Sequence, residues 1–368
     1  MSPTSPAPNE SASGKETPKS HIDRRTFLRT GSLGLAGASA ASWLAQKPAT
    51  AQQAPKTRLV TVKHANATDQ RGAGDPALVR QMVDRAILEL TGKDSLAEAW
   101  RTFVSPDDVV GIKLNLRAGK YLSTQSCVTD AIIAGLTAAG VPENNIIAWD
   151  AWTREFPRAG YTLNTSGQGV RYYASDKGRE APKGQRGRDG SREYLEPFYA
   201  AETVPIGDQK VQFTKILTEE ITALINVPLI KDHSIAGVTC SMKNHYGSIL
   251  KPRELHGNSC DPYLAELNAA PPIRDKTRLI LVDGLRGIYN GGPYDKPQWR
   301  WRPNCIIAGT DTVAVDALAL RILEEKRKQE NMPPIGERAK HVATAAKIGL
   351  GTNKLDEVDH REIDLGAA

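Results

Sequence analysis

The sequence predicts an α/β fold: a mostly parallel sheet with helices on both faces, Rossmann-like in its layers, with one basic glycine-rich insertion. Three observations carry this. Short apolar segments alternate with stretches of helical periodicity, the cadence of βαβ units. The apolar segments repeatedly end in a charged or amide residue, as strands do when their carboxyl ends face a crevice. The 368 residues are 40% hydrophobic and 24% charged, an ordinary balance for a globular chain with a large core.

The first fifty residues stand apart. Met1 to Ser20 is rich in Ser, Pro and Thr and has little to bury. Asp23 to Thr30 (DRRTFLRT) is followed by a small, mostly apolar run from Gly31 to Leu44 and then by Ala49-Thr50-Ala51. A charged region, an apolar region and a small-residue cleavage site in that order make a signal peptide; Arg24-Arg25 before Phe27-Leu28 marks the twin-arginine kind. Cleavage is expected after Ala51, leaving residues 52–368 as a single domain. The expected partner in export is the twin-arginine translocase, and the expected location is periplasmic or otherwise exported. The apolar run is shorter than the ~20 residues a bilayer demands, so no membrane span is expected in the mature protein. The segment holds six Lys/Arg against three Asp/Glu, half of the formal +6 charge, so the basic balance gives nucleic-acid binding no support.

Thr57 to His64 alternates apolar and polar residues and reads as a first strand. Asp75-Pro76 opens a helix with one apolar face from Leu78 to Leu90, closed by Gly92. A short helix over Ser95 to Phe103 precedes a strand from Asp108 to Asn115; a helix from Thr129 to Ala139 precedes a third strand from Asn145 to Asp150. From about Thr153 to Pro205 the pattern gives way to a basic, glycine-rich stretch, read as a surface insertion that is a solvated loop, a lid or a partner arm. The sheet resumes at Ala223 to Val227, and a helix is expected over Ile235 to Gly247 and another near Pro262 to Asn268. Strands follow at Arg278 to Asp283 and Cys305 to Thr310, with helices at Thr312 to Glu325 and Gly336 to Ile348 and a final short strand at Arg361 to Leu365. Trp299 and Trp301 alternate with Arg300 and Arg302, the pattern of a half-buried edge strand or of a ligand-stacking wall.

Lys113 and Asn115 close one strand and Asp150 another; Lys231, Asp232 and His233 follow Asn226-Val227-Pro228; Asp283 and Asp311 end the last two. Each alone is an ordinary turn or cap residue. Together they outline one crevice. Lys243 and Asn244 lie on the expected helix in stripes of small or polar residues, which suits close approach of a ligand, and its amino end beside His233 suits an anion. His233, His245 and His256 are 12 and 11 residues apart, matching no compact metal motif; His233 and His256 are read as acid/base groups or ligands, His245 as a helix-surface residue. Asp316 sits among apolar neighbours and wants a cationic partner, Lys113 or Lys243. Cys127, Cys240, Cys260 and Cys305 form no Cys-x-x-Cys, so no iron-sulfur cluster is expected, and disulfides and buried free thiols both stay open.

The pieces VVGIKLN, INVPLIKDHSIAGVTCSMKNHYG, LILVDGLRG and GTDTVAVDALAL, from Val109 to Leu320, resemble the domain of unknown function 362 family in content and order. Two departures stand out: Lys113-Leu114-Asn115 in place of Lys-Pro-Asn, and Lys231-Asp232-His233 in place of Lys-Thr-His. Some members of the family carry a ferredoxin-type domain, for which this chain lacks the cysteines. The resemblance implies an order of site elements and leaves the reaction open.

The leading expectation is a periplasmic enzyme or enzyme-like protein that binds a small anionic ligand at the strand ends. In it Lys113, Asn115, Lys231 and Asn244 bind the ligand, and Lys243, His233 and His256 act in catalysis. A divalent metal on Asp150, Asp283 and Asp311 is an open option. The alternative is a non-catalytic binding or accessory protein for an exported redox or metal system.

Overall fold

The computed structural model describes residues 57–177 and 197–366; the expected signal segment and residues 178–196 of the insertion lie outside the described residues. In chain order, β1 (Arg58–Lys63) leads to α1 (Pro76–Thr91), α2 (Leu96–Arg101), β2 (Val110–Lys113), α3 (Ser126–Ala138), β3 (Ile146–Asp150), α4 (Glu155–Ala159) and β4 (Arg171–Ala174). Then come the small hairpin β5 (Val204–Ile206) and β6 (Gln209–Val211), β7 (Ala223–Asn226), β8 (Leu229–His233), β9 (Gly237–Thr239) and α5 (Ser241–Asn244). The chain closes with α6 (Tyr263–Ala269), α7 (Pro271–Arg274), β10 (Thr277–Ile288), β11 (Arg300–Trp301), β12 (Cys305–Gly309), α8 (Thr312–Gln329), α9 (His341–Lys347) and β13 (Asp359–Asp364).

One mixed, mostly parallel sheet of eleven strands organises the described residues, in the order β13-β1-β12-β10-β7-β2-β3-β4. β10, β7, β2, β3 and β4 run parallel, while β12 is antiparallel to both β10 and β1. Alternate side chains go to opposite faces of each strand, so each buried strand feeds two cores. Leu279 and Leu281 of β10 pack with α1 and α3, whereas Ile280 and Val282 pack with α8 and α9. A third cluster joins Ile147 and Leu224 to Leu264 and Leu267 of α6. Helices therefore cover both faces, as the sequence predicts.

Local chemistry sets the ends of these elements. Asp75 accepts from the N–H groups of Ala77 and Leu78 at 2.9 and 3.0 Å, and Gly92 closes α1 with a φ of 66° that favours glycine. Two regions depart from the sequence reading. The stretch read as irregular from Thr153 contributes α4 and the edge strand β4. The helix expected over Ile235 to Gly247 is instead strand β9, antiparallel to β8, followed by the four-residue α5. Gly237, with a φ of 73°, turns the chain there, and its neighbours are small enough for either structure.

β10 is also longer than its apolar run. Past Asp283 it pairs with β8 on one side and at its end with β11, so Trp299 and Trp301 belong to a half-buried hairpin against Tyr289, with ring centroids 5.6 and 6.4 Å away. All four cysteines are buried and free.

Candidate functional site

Three parallel strands end side by side. Lys113 of β2 is in register with Trp149 of β3 and with Asn226 of β7. The Lys113 ammonium, without solvent exposure, donates to Asp150 Oδ1 at 2.7 Å, to the Leu114 carbonyl at 2.6 Å and to Asn244 Oδ1 at 3.3 Å. Asp150 also accepts from the N–H groups of Leu116 and Ala151 at 2.6 and 2.7 Å, so the carboxylate has compensation on both oxygens. Burial pulls Lys113 below the usual ammonium range, and Asp150 opposes that. A Cβ on Gly247 would lie 2.8 Å from both Lys113 Nζ and Asp150 Oδ1, so only glycine lets this backbone pass so close to the pair.

An amide chain continues from this ion pair. Asn115 Nδ2 donates to Asn244 Oδ1 at 3.1 Å, Asn244 Nδ2 to Asn226 Oδ1 at 2.7 Å, and Asn226 Nδ2 to the Ser241 hydroxyl at 3.1 Å. Asn115 Oδ1 in turn accepts from Lys231 Nζ at 3.1 Å. Sequence reasoning put Lys113, Asn115, Lys231 and Asn244 at one site, and these hydrogen bonds join all four.

β8 explains how Lys231 and His233 come to share a wall. In a strand the Lys-Asp-His triplet sends its first and third side chains to one face and its second to the other. Asp232 faces away, 3.4 Å from Arg338 and 3.8 Å from Arg327, and accepts from the Gly292 N–H. Thr239 of β9 lies directly opposite Lys231 in the antiparallel pair and shares its face; the Thr239 hydroxyl is buried without a hydrogen-bond partner among the described residues.

Lys243 and His256 complete this wall. Lys243 Nζ lies 3.2 Å from His256 Nε2 and 3.5 Å from the centre of the Tyr246 ring. His256 Nδ1 is 2.9 Å from the Pro252 carbonyl, so it carries the proton and Nε2 accepts. The His233 and His256 rings are 5.8 Å apart, and His233 Nδ1 accepts from the N–H groups of Ile235 and Ala236. Burial, with Lys231 adding to it against an opposing Cys260, brings Lys243 down to about 7. Lys231 falls to about 8, through burial first, with Asp150 opposing. Burial and Lys243 drive His256 down to about 4 and His233 to about 2, so both are neutral imidazoles at physiological pH. The group holds an excess of basic side chains in a dry place. Among the described residues Asp150 is the carboxylate that offsets it, and Lys113 already occupies that group.

Other expectations need correction. His245 is buried, with Nδ1 3.0 Å from the Ser248 hydroxyl, because the turn after α5 folds inward. Asp316 takes no lysine; it accepts from the Ser241 and Met242 N–H groups at 2.6 and 3.2 Å. Those two bonds also use the amino end of α5, which is too short to be an anion site of its own. Asp150, Asp283 and Asp311 do not gather for a metal. Asp283 accepts from the Gln125 and Leu285 N–H groups and Asp311 caps α8. β12 runs antiparallel to β10, so Asp311 falls toward the amino end of β10 and four strands from β3, roughly 19 Å at ordinary strand spacing. Among the described residues, no group of three or more His, Cys, Asp or Glu is placed to hold a metal ion.

Sequence reasoning missed Tyr246 and His341. His341 is fully buried at the start of α9, neither ring nitrogen has a partner among the described residues, and burial first, then Lys243, bring it down to about 3. Nothing in the surrounding polar sequence marks it. A separate cavity of about 90 Å³ is lined by Asn226, His245, Asn268, Thr277 and Thr312 together with Arg274, whose guanidinium is paired with Asp275.

A family model described as Domain of unknown function (DUF362) matches residues 110–321, more than half of the chain. This chain belongs to the DUF362 family. The DUF362 match contains Lys113, Asn115, Asp150, Lys231, His233, Lys243, Asn244 and His256, and ends before His341. No curated protein matches the chain. A crystal structure of a protein from Thermotoga maritima, a structural genomics target, is similar with a TM-score of 0.36 and 11% identity over 75% of this chain; the chain spans 60% of that protein's length.

Proposed function

We propose that this DUF362 protein is an exported, enzyme-like protein that binds a small anionic ligand between β8 and the segment from Lys243 to His256. One observation carries the reading: Lys231 and Lys243 are buried, and neither has a carboxylate partner among the described residues. A buried ammonium without a counter-charge is costly, and an arriving anion removes that cost. The Thr239 hydroxyl and the His341 ring add hydrogen-bonding capacity left unused among the described residues. His256, held neutral with Nε2 as its acceptor, is a base available to a proton on the ligand, while neutral His233, its Nδ1 taken by two backbone N–H groups, presents an Nε2–H donor. The proposal includes no metal, because the three carboxylates read as ligands are spread across the sheet. Export rests on Arg24-Arg25 and the apolar run after it, and the translocase is the partner this reading names.

The test is a thermal-shift and calorimetry panel of phosphate, sulfate and small carboxylates on the chain from residue 52. At least one anion is expected to raise Tm, with affinity about 10- to 100-fold lower in Lys231→Met or Lys243→Met, the worth of one charge-assisted hydrogen bond. Affinity should fall as pH rises through 7 to 8, because Lys243 and Lys231 lose their protons there. A wild-type protein whose Tm responds to no anion in the panel rules the reading out.

A further inference from the structure

Lys243 differs from Lys231 in its surroundings. Lys231 donates to an amide oxygen and, among the described residues, has two N–H bonds left for a carboxylate. Lys243 instead faces an aromatic ring and a neutral imidazole nitrogen of the half-buried His256. An amine so placed is a nucleophile with a base in contact with it. We propose that Lys243 forms an imine with the carbonyl carbon of a small 2-oxo carboxylate whose carboxylate group is held by Lys231 and the Thr239 hydroxyl. This deepens the anion-binding reading and rests on it.

The step balances without a further reactant. The Lys243 Nζ lone pair attacks the carbonyl carbon and the carbonyl electron pair moves to oxygen. One Nζ proton passes through His256 Nε2 to that oxygen. The resulting hydroxyl leaves as water with the second Nζ proton, and the C=N bond forms. His256 can relay because Nδ1–H stays bound to the Pro252 carbonyl while Nε2 faces the amine. The neutral amine is the reactive form, and the depression of Lys243 to about 7 supplies it near neutral pH.

Borohydride trapping with pyruvate as the probe tests this. Acetone serves as a carbonyl without a carboxylate and propionate as a carboxylate without a carbonyl. Pyruvate is expected to leave one reduced adduct, mapped by peptide mass to Lys243 and absent in Lys243→Met. Acetone should label about tenfold less, and Lys231→Met should lower pyruvate labelling to a similar extent, for want of the charge-assisted contact. Mapping in the wild type keeps the result independent of how well either variant folds. A propionate thermal shift with no adduct, or labelling spread over surface lysines, overturns the imine and leaves the anion site standing. No shift with propionate, pyruvate or any other anion overturns the anion reading itself.

Discussion

At the scale of single residues, the buried Lys113–Asp150 pair is the anchor of the site. Removing one partner of such a pair leaves the other uncompensated, so Asp150→Asn should cost about 3–5 kcal/mol in urea unfolding. Gly247→Ala should also destabilise, since its methyl group would press on both partners. An unchanged midpoint in both variants would refute the anchoring role. The polar residues of this anchor were legible as strand endings, because Lys113, Asn115 and Asp150 follow apolar runs of strand length. His341 was not, because its burial comes from packing far along the chain.

Among the elements, α5 is the one whose position matters most, for it carries Lys243 and Asn244 yet has only four residues. A helix that short has little stability of its own, so it depends on Asp316 of α8, which receives its first two N–H groups. Burial raises Asp316 to about 7, against the opposing pull of those N–H groups. The folded chain therefore keeps a proton that the unfolded chain releases near pH 4. This contribution to stability is full below about pH 4 and is lost as pH rises toward 7. Asp316→Asn should remove that component of the pH slope between about 4 and 7 and also weaken anion binding at Lys243 by loosening α5. Parallel slopes in wild type and variant, followed by denaturant unfolding, would count against it. The sequence suggested a longer helix here because its small residues at i, i+4 and i+8 suit a packed helix as well as a tight strand pair. The pairing of Lys231, Asp232 and His233 with Thr239, Val238 and Gly237 across the turn decides for β9.

For the whole molecule, export is the property to test first. Replacing Arg24-Arg25 by Lys-Lys should abolish appearance of the protein outside the cytoplasm, read by fractionation with an antibody; unchanged export would refute the twin-arginine reading. The layered α/β architecture was legible from alternation of strands and helices, while the direction of β12 was not. Strand direction is set by which neighbour a segment meets, and the local pattern of Cys305 to Thr310 is the same either way up. That reversal is what removes Asp311 from the crevice. Among the described residues, no helix is long and apolar enough to cross a membrane.

β10 has a further consequence. Its twelve residues span about 40 Å, and two successive strands lean on one side of it, β7 with Asn226 along the first half and β8 with Lys231 and His233 along the second. Asn226 and Lys231 thus keep their spacing through a shared neighbour, and the ladder loosens where its register shifts between Asp283 and Ile288. In the proposed anion site the β8 side is therefore the fixed one, and any adjustment to a larger ligand falls to the segment from Lys243 to His256.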